Sequence, residues 1–278
     1  MAKIISGKDL SAQLKDEMKA QVATFPEKYG RVPHLVVILV GEDPGSVSYV
    51  TGKAKASEYV GIKNTTIRKP DTISEAELLG MIEELNADDS VDGILVQLPL
   101  PKHISEDKVI ATIAKEKDVD GFHPLNVAAL WQKQDCVLPC TPKGIIKMMK
   151  KAGVEIVGKR AVVIGRSNIV GKPMASLMMQ KAYPGDATVT VCHSRSKDLV
   201  KECQEADIII DVRFLPNPFY IKEIRAYTGL EAPIRDYVYG CRFCQRLERT
   251  GHTLVTRPPL VQVGPDHMVE ACPLCADI

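Results

Sequence analysis

VDGILVQLPLP, residues Val91–Pro101, combines the pattern of a buried strand with a proline-rich exit. Its first half, Val91–Val96, is apolar and rich in branched side chains, which predicts a short buried strand. Pro99 and Pro101 then remove backbone donors and end the strand. Gln97 is therefore expected where a buried strand emerges at its carboxyl end, the edge at which open α/β sheets bind ligands. The alternative is a strand and turn in which the glutamine has no special role.

The composition is that of a globular protein without an excess of either charge. The 278 residues are 45% hydrophobic and 26% charged, which suits one large or two modest domains. A total of 36 Lys and Arg residues is balanced by 35 Asp and Glu residues, and the net charge is +1. Because there is no long basic run, nucleic acid and anionic membranes are unfavoured partners, and a small molecule is favoured.

Neither a signal peptide nor a membrane span is indicated by the hydrophobic segments. Met1–Leu10 lacks an apolar signal core, and no run of 18 apolar residues occurs. We therefore expect a cytoplasmic protein. The eight cysteines, in a chain of this length, are expected to be reduced thiols or metal ligands rather than a disulfide framework.

Apolar strands alternate with amphipathic helices in the first half of the chain. His34–Val40 reads HLVVILV, which is typical of a strand buried on both faces of a parallel sheet. Ser46–Gly61 follows as a helix that its final glycine can end. Ser74 and Glu77 form a capping box for a further helix. This alternation predicts an α/β fold with a mainly parallel sheet covered by helices.

Two domains are expected, joined by a crossing at residues 115–141. The first domain comprises residues 1–120 and contains the strands described above. Residues 140–210 form a second α/β unit that includes a strand at Arg160–Ile164. Residues 211–278 are less regular, and we interpret them as an atypical tail.

Four polar side chains of the first domain are candidates for catalysis. Tyr49 and Lys53 lie four residues apart on the predicted helix and so share one face. A helix lysine is usually exposed. If Lys53 is buried in a cleft near Gln97, desolvation disfavours its ammonium form and makes it a general acid or base near neutral pH. Asp120, in the turn-rich segment DVDG, is either a turn residue or a carboxylate that accepts two N–H bonds from a heterocycle.

The loop Gly165–Gly171, GRSNIVG, joins a strand to a helix in the second domain. Its glycines let the backbone approach a pyrophosphate, and the helix start supplies free N–H groups and a partial positive charge. Ser167 replaces the middle glycine of G-x-G-x-x-G, so a tight strand–helix turn is the alternative. Arg166, with Ser194 and Arg195 after the next strand, puts positive charge near the ribose and favours NADP over NAD. The alternative for the arginines is a solvated surface.

Five motifs of the chain resemble, in order and spacing, those of the bifunctional methylenetetrahydrofolate dehydrogenase/cyclohydrolase family. They are YVTGK (Tyr49–Lys53), DGILVQLPLP (Asp92–Pro101), KDVDGFHP (Lys117–Pro124), PCTPKG (Pro139–Gly144) and VVIGRSNIVGKP (Val162–Pro173). The resemblance covers residues 1–210. It implies a homodimer in which each subunit has a folate-binding catalytic domain and a Rossmann-type NADP-binding domain, with the active site between them.

The resemblance also implies two reactions of one-carbon metabolism and a role for each candidate. Hydride passes from 5,10-methylenetetrahydrofolate to NADP, and the methenyl product is hydrated to 10-formyltetrahydrofolate. Lys53 is then the general acid/base of the hydrolysis, Gln97 the hydrogen-bond partner that tunes it, Asp120 the pterin anchor and Tyr49 the residue that stacks on folate. A neutral lysine suits this chemistry, because an ammonium would repel the cationic intermediate. The residues expected to bind NADP are Gly165, Arg166, Ser167, Ile169, Val170, Gly171, Pro173, Ser194 and Arg195.

The tail departs from this family and resembles another. Asp211–Val238 is similar to a segment of the RNase adapter protein family. Cys241, Cys244, Cys272 and Cys275 form two C-x-x-C pairs that could give four thiolates to a zinc ion, and the alternative is four unligated thiols. Because the family's closing strands and glycine-rich segment are missing, we expect hydride transfer to be impaired more than folate binding. The alternative function is a catalytically impaired folate or nucleotide-binding module with a zinc-stabilised interaction tail.

Overall fold

The computed structural model describes residues 3–5, 7–212, 260–263 and 267–270. These residues form two compact units. One is built from Ser11–Pro139, and the other from the described residues up to Leu10 together with the described residues from Cys140 onward. The predicted α/β class and two-domain organisation are confirmed, and the first ten residues group with the second unit.

A three-stranded parallel sheet forms the centre of the first unit, with the strand order β3 (Lys63–Lys69), β2 (His34–Val40) and β4 (Gly93–Val96). In register, Val36 lies opposite Ile94, and Ile38 lies opposite Val96. In chain order, the elements that precede Cys140 are β1 (Lys3–Ile5), α1 (Gly7–Val22), α2 (Phe25–Tyr29), β2 (His34–Val40), α3 (Pro44–Val60), β3 (Lys63–Lys69), α4 (Glu75–Ala87), β4 (Gly93–Val96), α5 (Glu106–Thr112) and α6 (Pro124–Trp131). Of these, β1 belongs to the sheet of the second unit.

Both faces of β2 are buried, which confirms the prediction made from its continuous apolar sequence. Val36 and Ile38 belong to the cluster that contains Leu78 of α4. Val37, on the opposite face, packs with Val50 of α3. Successive side chains of a strand point to opposite faces, so a strand covered by helices on both sides is apolar on both of them, as residues 35–40 are.

The helix starts follow local capping rules, although α3 begins earlier than its sequence predicts. Asp43, rather than Ser46, is its N-cap, because the Asp43 carboxylate accepts from the Ser46 N–H at 2.8 Å and a proline follows it. The capping box of Ser74 and Glu77 is present at the start of α4. Gly61 ends α3 in the left-handed conformation with φ of 88°, as predicted.

An ion pair at the amino ends of β2 and β4 makes the stability of the first unit depend on pH. Arg31 binds both oxygens of Asp92, at 2.6 and 2.8 Å, and the hydrogen bond from Arg31 lowers the pKa of the Asp92 carboxyl. A carboxyl whose pKa is depressed by folding stabilises the fold above its unfolded pKa, and this contribution is lost as the pH falls through the folded value.

We expect Asp92→Asn to lower the free energy of unfolding by about 0.5–1 kcal/mol at pH 7. The difference from the unsubstituted protein should shrink as the pH falls below about 4, because the unfolded state then binds the proton, and it should vanish once the pH is low enough to protonate Asp92 in the folded state as well. Urea unfolding between pH 7 and pH 3 measures this difference. Asp89→Asn, an exposed carboxylate of the same loop, is the matched control. A difference that stays constant over this pH range would contradict the prediction.

The sheet of the second unit has six strands, in the order β1, β9 (His267–Glu270), β8 (Leu260–Val263), β7 (Ile208–Asp211), β5 (Arg160–Ile164) and β6 (Thr188–Cys192). The strands β6, β5 and β7 are parallel, and β8 is antiparallel to both β7 and β9. The elements of this unit after Pro139 are α7 (Cys140–Ala152), β5 (Arg160–Ile164), α8 (Gly171–Met179), β6 (Thr188–Cys192), α9 (Leu199–Gln204), β7 (Ile208–Asp211), β8 (Leu260–Val263) and β9 (His267–Glu270).

The expectation that this sheet loses its strands on the far side of β7 is wrong. The strands β8 and β9 extend it, and β1 pairs with β9 in parallel. The two strands, LVQV and HMVE, have four residues each and lie near several prolines. A pattern of alternating apolar and polar residues is hard to recognise in such short segments, and proline argues against a strand. Within the described part of the chain, no helix is long and apolar enough to cross a membrane.

Candidate active site

Lys53 and Gln97 meet at the carboxyl edge of the three-stranded sheet. Lys53 lies on the buried side of α3, is 8% exposed, and donates from Nζ to Oε1 of Gln97 at 3.2 Å. Gln97 directly follows β4, and its backbone N–H donates to the Ile38 carbonyl at 2.9 Å. The two residues are therefore brought together, and Lys53 is not an ordinary exposed helix lysine.

The side-chain amide of Gln97 is held in one orientation. Its Nε2 donates to the Leu98 carbonyl at 2.7 Å. A carbonyl oxygen can only accept, so the nitrogen of the amide must face Leu98, and the oxygen must face Lys53. Gln97 is thereby fixed as an acceptor for the ammonium or amine group, and the position of Nζ is fixed with it.

Asp120 lies close enough to Lys53 to respond to its charge. Desolvation raises the pKa of the Asp120 carboxyl, the positive charge of Lys53 opposes this, and the Asp118 carboxylate adds to it. Asp120 and Phe122 line a small cavity whose other walls are mostly apolar side chains of β4 and α5. A desolvated carboxyl in such surroundings is short of hydrogen-bond donors, so a ligand with N–H groups would stabilise it.

Tyr49 lies one turn before Lys53 on α3, as their spacing predicts. It is 37% exposed, so part of its side chain is accessible to solvent. The stacking role that the family resemblance implies for Tyr49 stays a prediction.

Two residues of this site have structural roles that the sequence analysis missed. Asp118 is buried, and its carboxylate binds donors of the loop that carries Asp120. Gly93 lets this loop approach β4, because a Cβ at Gly93 would overlap Cγ1 of Val119. The signal for Asp118 is its place at the start of a D-x-x-G turn, where aspartate often binds backbone N–H groups.

In the second unit, Ser167 occupies donors that we expected to be free. The N–H groups of Val170 and Gly171 point to Oγ of Ser167 at 3.2 and 3.3 Å, and the N–H of Lys172 donates to its carbonyl at 3.0 Å. The expectation of free N–H groups at this helix start is therefore wrong for these three residues. The hydroxyl of Ser167 satisfies the first two and its carbonyl satisfies the third, as a polar residue ahead of a helix often does.

The two glycines of the loop allow its close turn. Gly165 directly follows β5 with φ of +127°, a conformation that other residues rarely adopt. A Cβ at Gly171 would overlap the Gly165 carbonyl oxygen, so the start of α8 rests on the loop backbone. Ile169 is half-buried, and Pro173 is buried in the first turn of α8. The backbone at the start of α8 therefore lies directly against the backbone of Gly165, the residue that follows β5.

The positive charges predicted for the nucleotide site lie at one edge of the second sheet. Ile164 and Cys192 are register partners in the parallel strands β5 and β6. Arg166 follows the first of them by two residues and Arg195 follows the second by three, so both emerge at the carboxyl ends of neighbouring strands. Both arginines and Ser194 are exposed. Exposed cations and a hydroxyl beside a glycine loop fit a dinucleotide that carries a 2′-phosphate.

The predicted zinc ligands lie outside the described residues. Cys241, Cys244, Cys272 and Cys275 all belong to that part of the chain. Within the described ranges, no cluster of three or more His, Cys, Asp or Glu side chains is arranged to hold a metal ion. The zinc site therefore stays a prediction from the cysteine spacing alone.

Taken together, these features define a two-domain α/β protein with a buried lysine bonded to a half-buried glutamine in one unit and a dinucleotide-type loop in the other. The model of the tetrahydrofolate dehydrogenase/cyclohydrolase catalytic domain matches residues 5–120, and that of the NAD(P)-binding domain of the same family matches residues 139–214. The model of the RapZ C-terminal domain matches residues 199–257, which confirms the resemblance seen in the tail.

Individual relatives agree with the family models. The bifunctional protein FolD of Bacteroides thetaiotaomicron is 59% identical over 226 residues, which are 81% of this chain and 76% of the relative. The crystal structure of the bifunctional enzyme FolD from Campylobacter jejuni is 46% identical with a TM-score of 0.73, over 76% of this chain and 74% of that one. The Trypanosoma brucei enzyme, solved with NADP and an inhibitor, is 34% identical with a TM-score of 0.73, over 77% of this chain and 73% of that one. The chain therefore belongs to the tetrahydrofolate dehydrogenase/cyclohydrolase family.

Proposed function

We propose that this protein oxidises 5,10-methylenetetrahydrofolate with NADP and hydrolyses the methenyl product to 10-formyltetrahydrofolate. The observation that carries the proposal is the hydrogen bond between Lys53 and Gln97, at the ligand-binding edge of a chain that is 59% identical to a bifunctional FolD protein. The comparisons favour this function over a silent binding module, because both domains of the family are matched.

Lys53 is the proposed general acid/base of the hydrolysis. Water adds to the cationic carbon of the methenyl bridge, and Nζ of Lys53 takes the proton that the water loses. The bond from this carbon to N5 then breaks, N5 takes a proton, and the new hydroxyl becomes the formyl carbonyl. One proton is released overall. Gln97 supports this role because its fixed amide oxygen holds Nζ at one position.

Asp120 and Tyr49 are the proposed folate-binding residues. A pterin ring offers neighbouring N–H groups, and a carboxylate can accept two of them side by side. The desolvated Asp120 gains more from such donors than an exposed carboxylate would, because it does not give up water to accept them. Tyr49, one turn along α3 from Lys53, is proposed to stack on the folate.

Residues of the second unit are proposed to hold the nucleotide. The loop from Gly165 to Gly171 brings its backbone to the phosphates, and Arg166, Ser194 and Arg195 bind the 2′-phosphate. When bound there, NADP supplies the acceptor for the hydride. Ser167 keeps the loop in its turn by satisfying the first N–H groups of α8.

We further propose that the protein is a cytoplasmic homodimer, with a folate-binding domain at residues 1–120 and a nucleotide-binding domain at 140–210. The dimer rests on the family resemblance, and sedimentation equilibrium of the purified chain tests it. A single species of one-chain mass at micromolar concentration would contradict the dimer.

A paired assay on the purified full chain tests the proposed function. One measurement follows NADP-dependent oxidation of methylenetetrahydrofolate, and the other follows hydrolysis of supplied methenyltetrahydrofolate. We expect both activities, with oxidation the weaker, because the match to the nucleotide-binding domain ends at residue 214. Hydrolysis without oxidation would mean that the tail has disabled the nucleotide site. If neither reaction occurs, the enzymatic proposal fails and the binding module becomes the better hypothesis.

A further inference from the structure

The Asp118 carboxylate lies at the centre of the loop that carries Asp120. It is 3% exposed, and three donors of the loop converge on it. The Gly121 N–H donates to Oδ1 at 3.0 Å, while the His123 N–H and Nδ2 of Asn126 donate to Oδ2 at 2.8 Å each. Asp118 lies before Asp120 in the chain, and the three donors lie after it. These hydrogen bonds therefore close a turn around Asp120.

The residue before Asp118 ties this loop to two neighbouring elements. The Lys117 carbonyl accepts from the Ile94 N–H of β4 at 2.8 Å. Nζ of Lys117 donates to the carbonyls of Leu85 and Asp88, at 3.0 and 2.7 Å, at the end of α4. The start of the loop is thus fixed before the chain reaches Asp118.

The residues on either side of Asp120 cannot shift easily. Val119 packs against the cluster of β2 and α3, in the space left by Gly93. Gly121 has φ of +70°, and a Cβ there would lie 2.6 Å from the Val137 carbonyl oxygen. With both neighbours held, the direction of the Asp120 side chain depends on the bonds that close the turn.

We propose that Asp118 is a positioning residue, which closes the loop so that the Asp120 carboxyl lies beside Lys53 and faces the pterin. This inference rests on the proposed function, in which Asp120 anchors the ligand. An aspartate side chain suits the position, because all three partners of Asp118 are donors and both of its oxygens accept. An asparagine of the same shape would turn an N–H toward at least one of them.

Asp118→Asn tests the proposal through ligand binding. We expect the Kd for tetrahydrofolate, measured by calorimetry on the full chain, to rise about tenfold, as for a hydrogen-bond network left with one unsatisfied buried donor. At saturating methenyltetrahydrofolate, kcat for hydrolysis should change less than about threefold, because Lys53 and Gln97 stay in place. Asp89→Asn, exposed at the opposite end of the strands, should change neither quantity.

A second variant keeps the test decisive if Asp118→Asn does not fold. Asn126→Ala removes one of the three donors and leaves the carboxylate, so we expect a smaller rise in Kd, about threefold. A structural role alone would lower the melting temperature of either variant and leave Kd for tetrahydrofolate unchanged in the folded protein, and that result overturns the inference. If the unsubstituted chain neither binds tetrahydrofolate nor hydrolyses methenyltetrahydrofolate, the proposed function fails instead.

Discussion

Replacing Lys53 with methionine is expected to slow the hydrolysis of supplied methenyltetrahydrofolate by about 10²–10⁴-fold, the usual contribution of a positioned general acid or base. The reason is geometric as well as chemical. Nζ is held by the Gln97 amide at the carboxyl edge of the sheet, and methionine has no group that can take a proton from water there. The loss should lie in kcat, because Asp120 and Tyr49, the proposed ligand-binding residues, are unchanged.

The matched control for this variant is Lys55→Met. Lys55 lies two residues further along α3 and is exposed, so the same change of side chain should leave hydrolysis within about twofold. The melting temperature of Lys53→Met should stay near that of the unsubstituted protein. Methionine, like lysine, has an unbranched side chain, and it is apolar enough for this largely buried position. A Lys53→Met protein that hydrolyses at the original rate would remove Lys53 from the mechanism.

Gly171→Ala should have the largest effect on the second unit. A Cβ at this position would overlap the Gly165 carbonyl oxygen and lie 2.8 Å from the Arg166 nitrogen. Both are backbone atoms, so the loop has to move. We expect the free energy of unfolding to fall by about 1–3 kcal/mol and NADP-dependent oxidation to fall more than about tenfold. Hydrolysis of supplied methenyltetrahydrofolate should persist, because Lys53 and Gln97 belong to the other unit.

Gly80→Ala is the control for the added methyl group. Gly80 lies in α4, and no heavy atom lies within 4 Å of the Cβ that it would gain. Because alanine favours helix over glycine by about 0.5–1 kcal/mol, this variant should be as stable as the original protein or more so. Equal loss of both activities in Gly171→Ala would show that the change unfolds the chain rather than disturbing the nucleotide loop.

The sequence predicted those parts of the fold and site that depend on local rules. The strand at His34–Val40, the capping box at Ser74 and the left-handed end of α3 at Gly61 each follow from a few neighbouring residues. Lys53 and Gln97, 44 positions apart, were paired by the recognised motifs, and the structure confirms that they meet. The periodicity of a helix or a strand relates residues only within that element, so it could not have predicted this contact.

The parts that the sequence did not predict depend on distant partners. Asp118 reads as a turn residue, and its role becomes visible only when Asn126 folds back on it. Ser167 reads as a substitution in a glycine motif, whereas in the structure it binds N–H groups at the start of α8. The pairing of β8 with β7 joins residues about fifty positions apart, so no local pattern indicates it.

The sheet of the second unit unites the two ends of the described chain, since Lys3 of β1 lies opposite His267 of β9. The first unit, by contrast, is a single stretch that is complete at Pro139. The first unit can therefore fold during translation, before the residues after Pro139 have been synthesised. The sheet of the second unit can be completed only after β9 has been synthesised, because β9 is the strand with which β1 pairs.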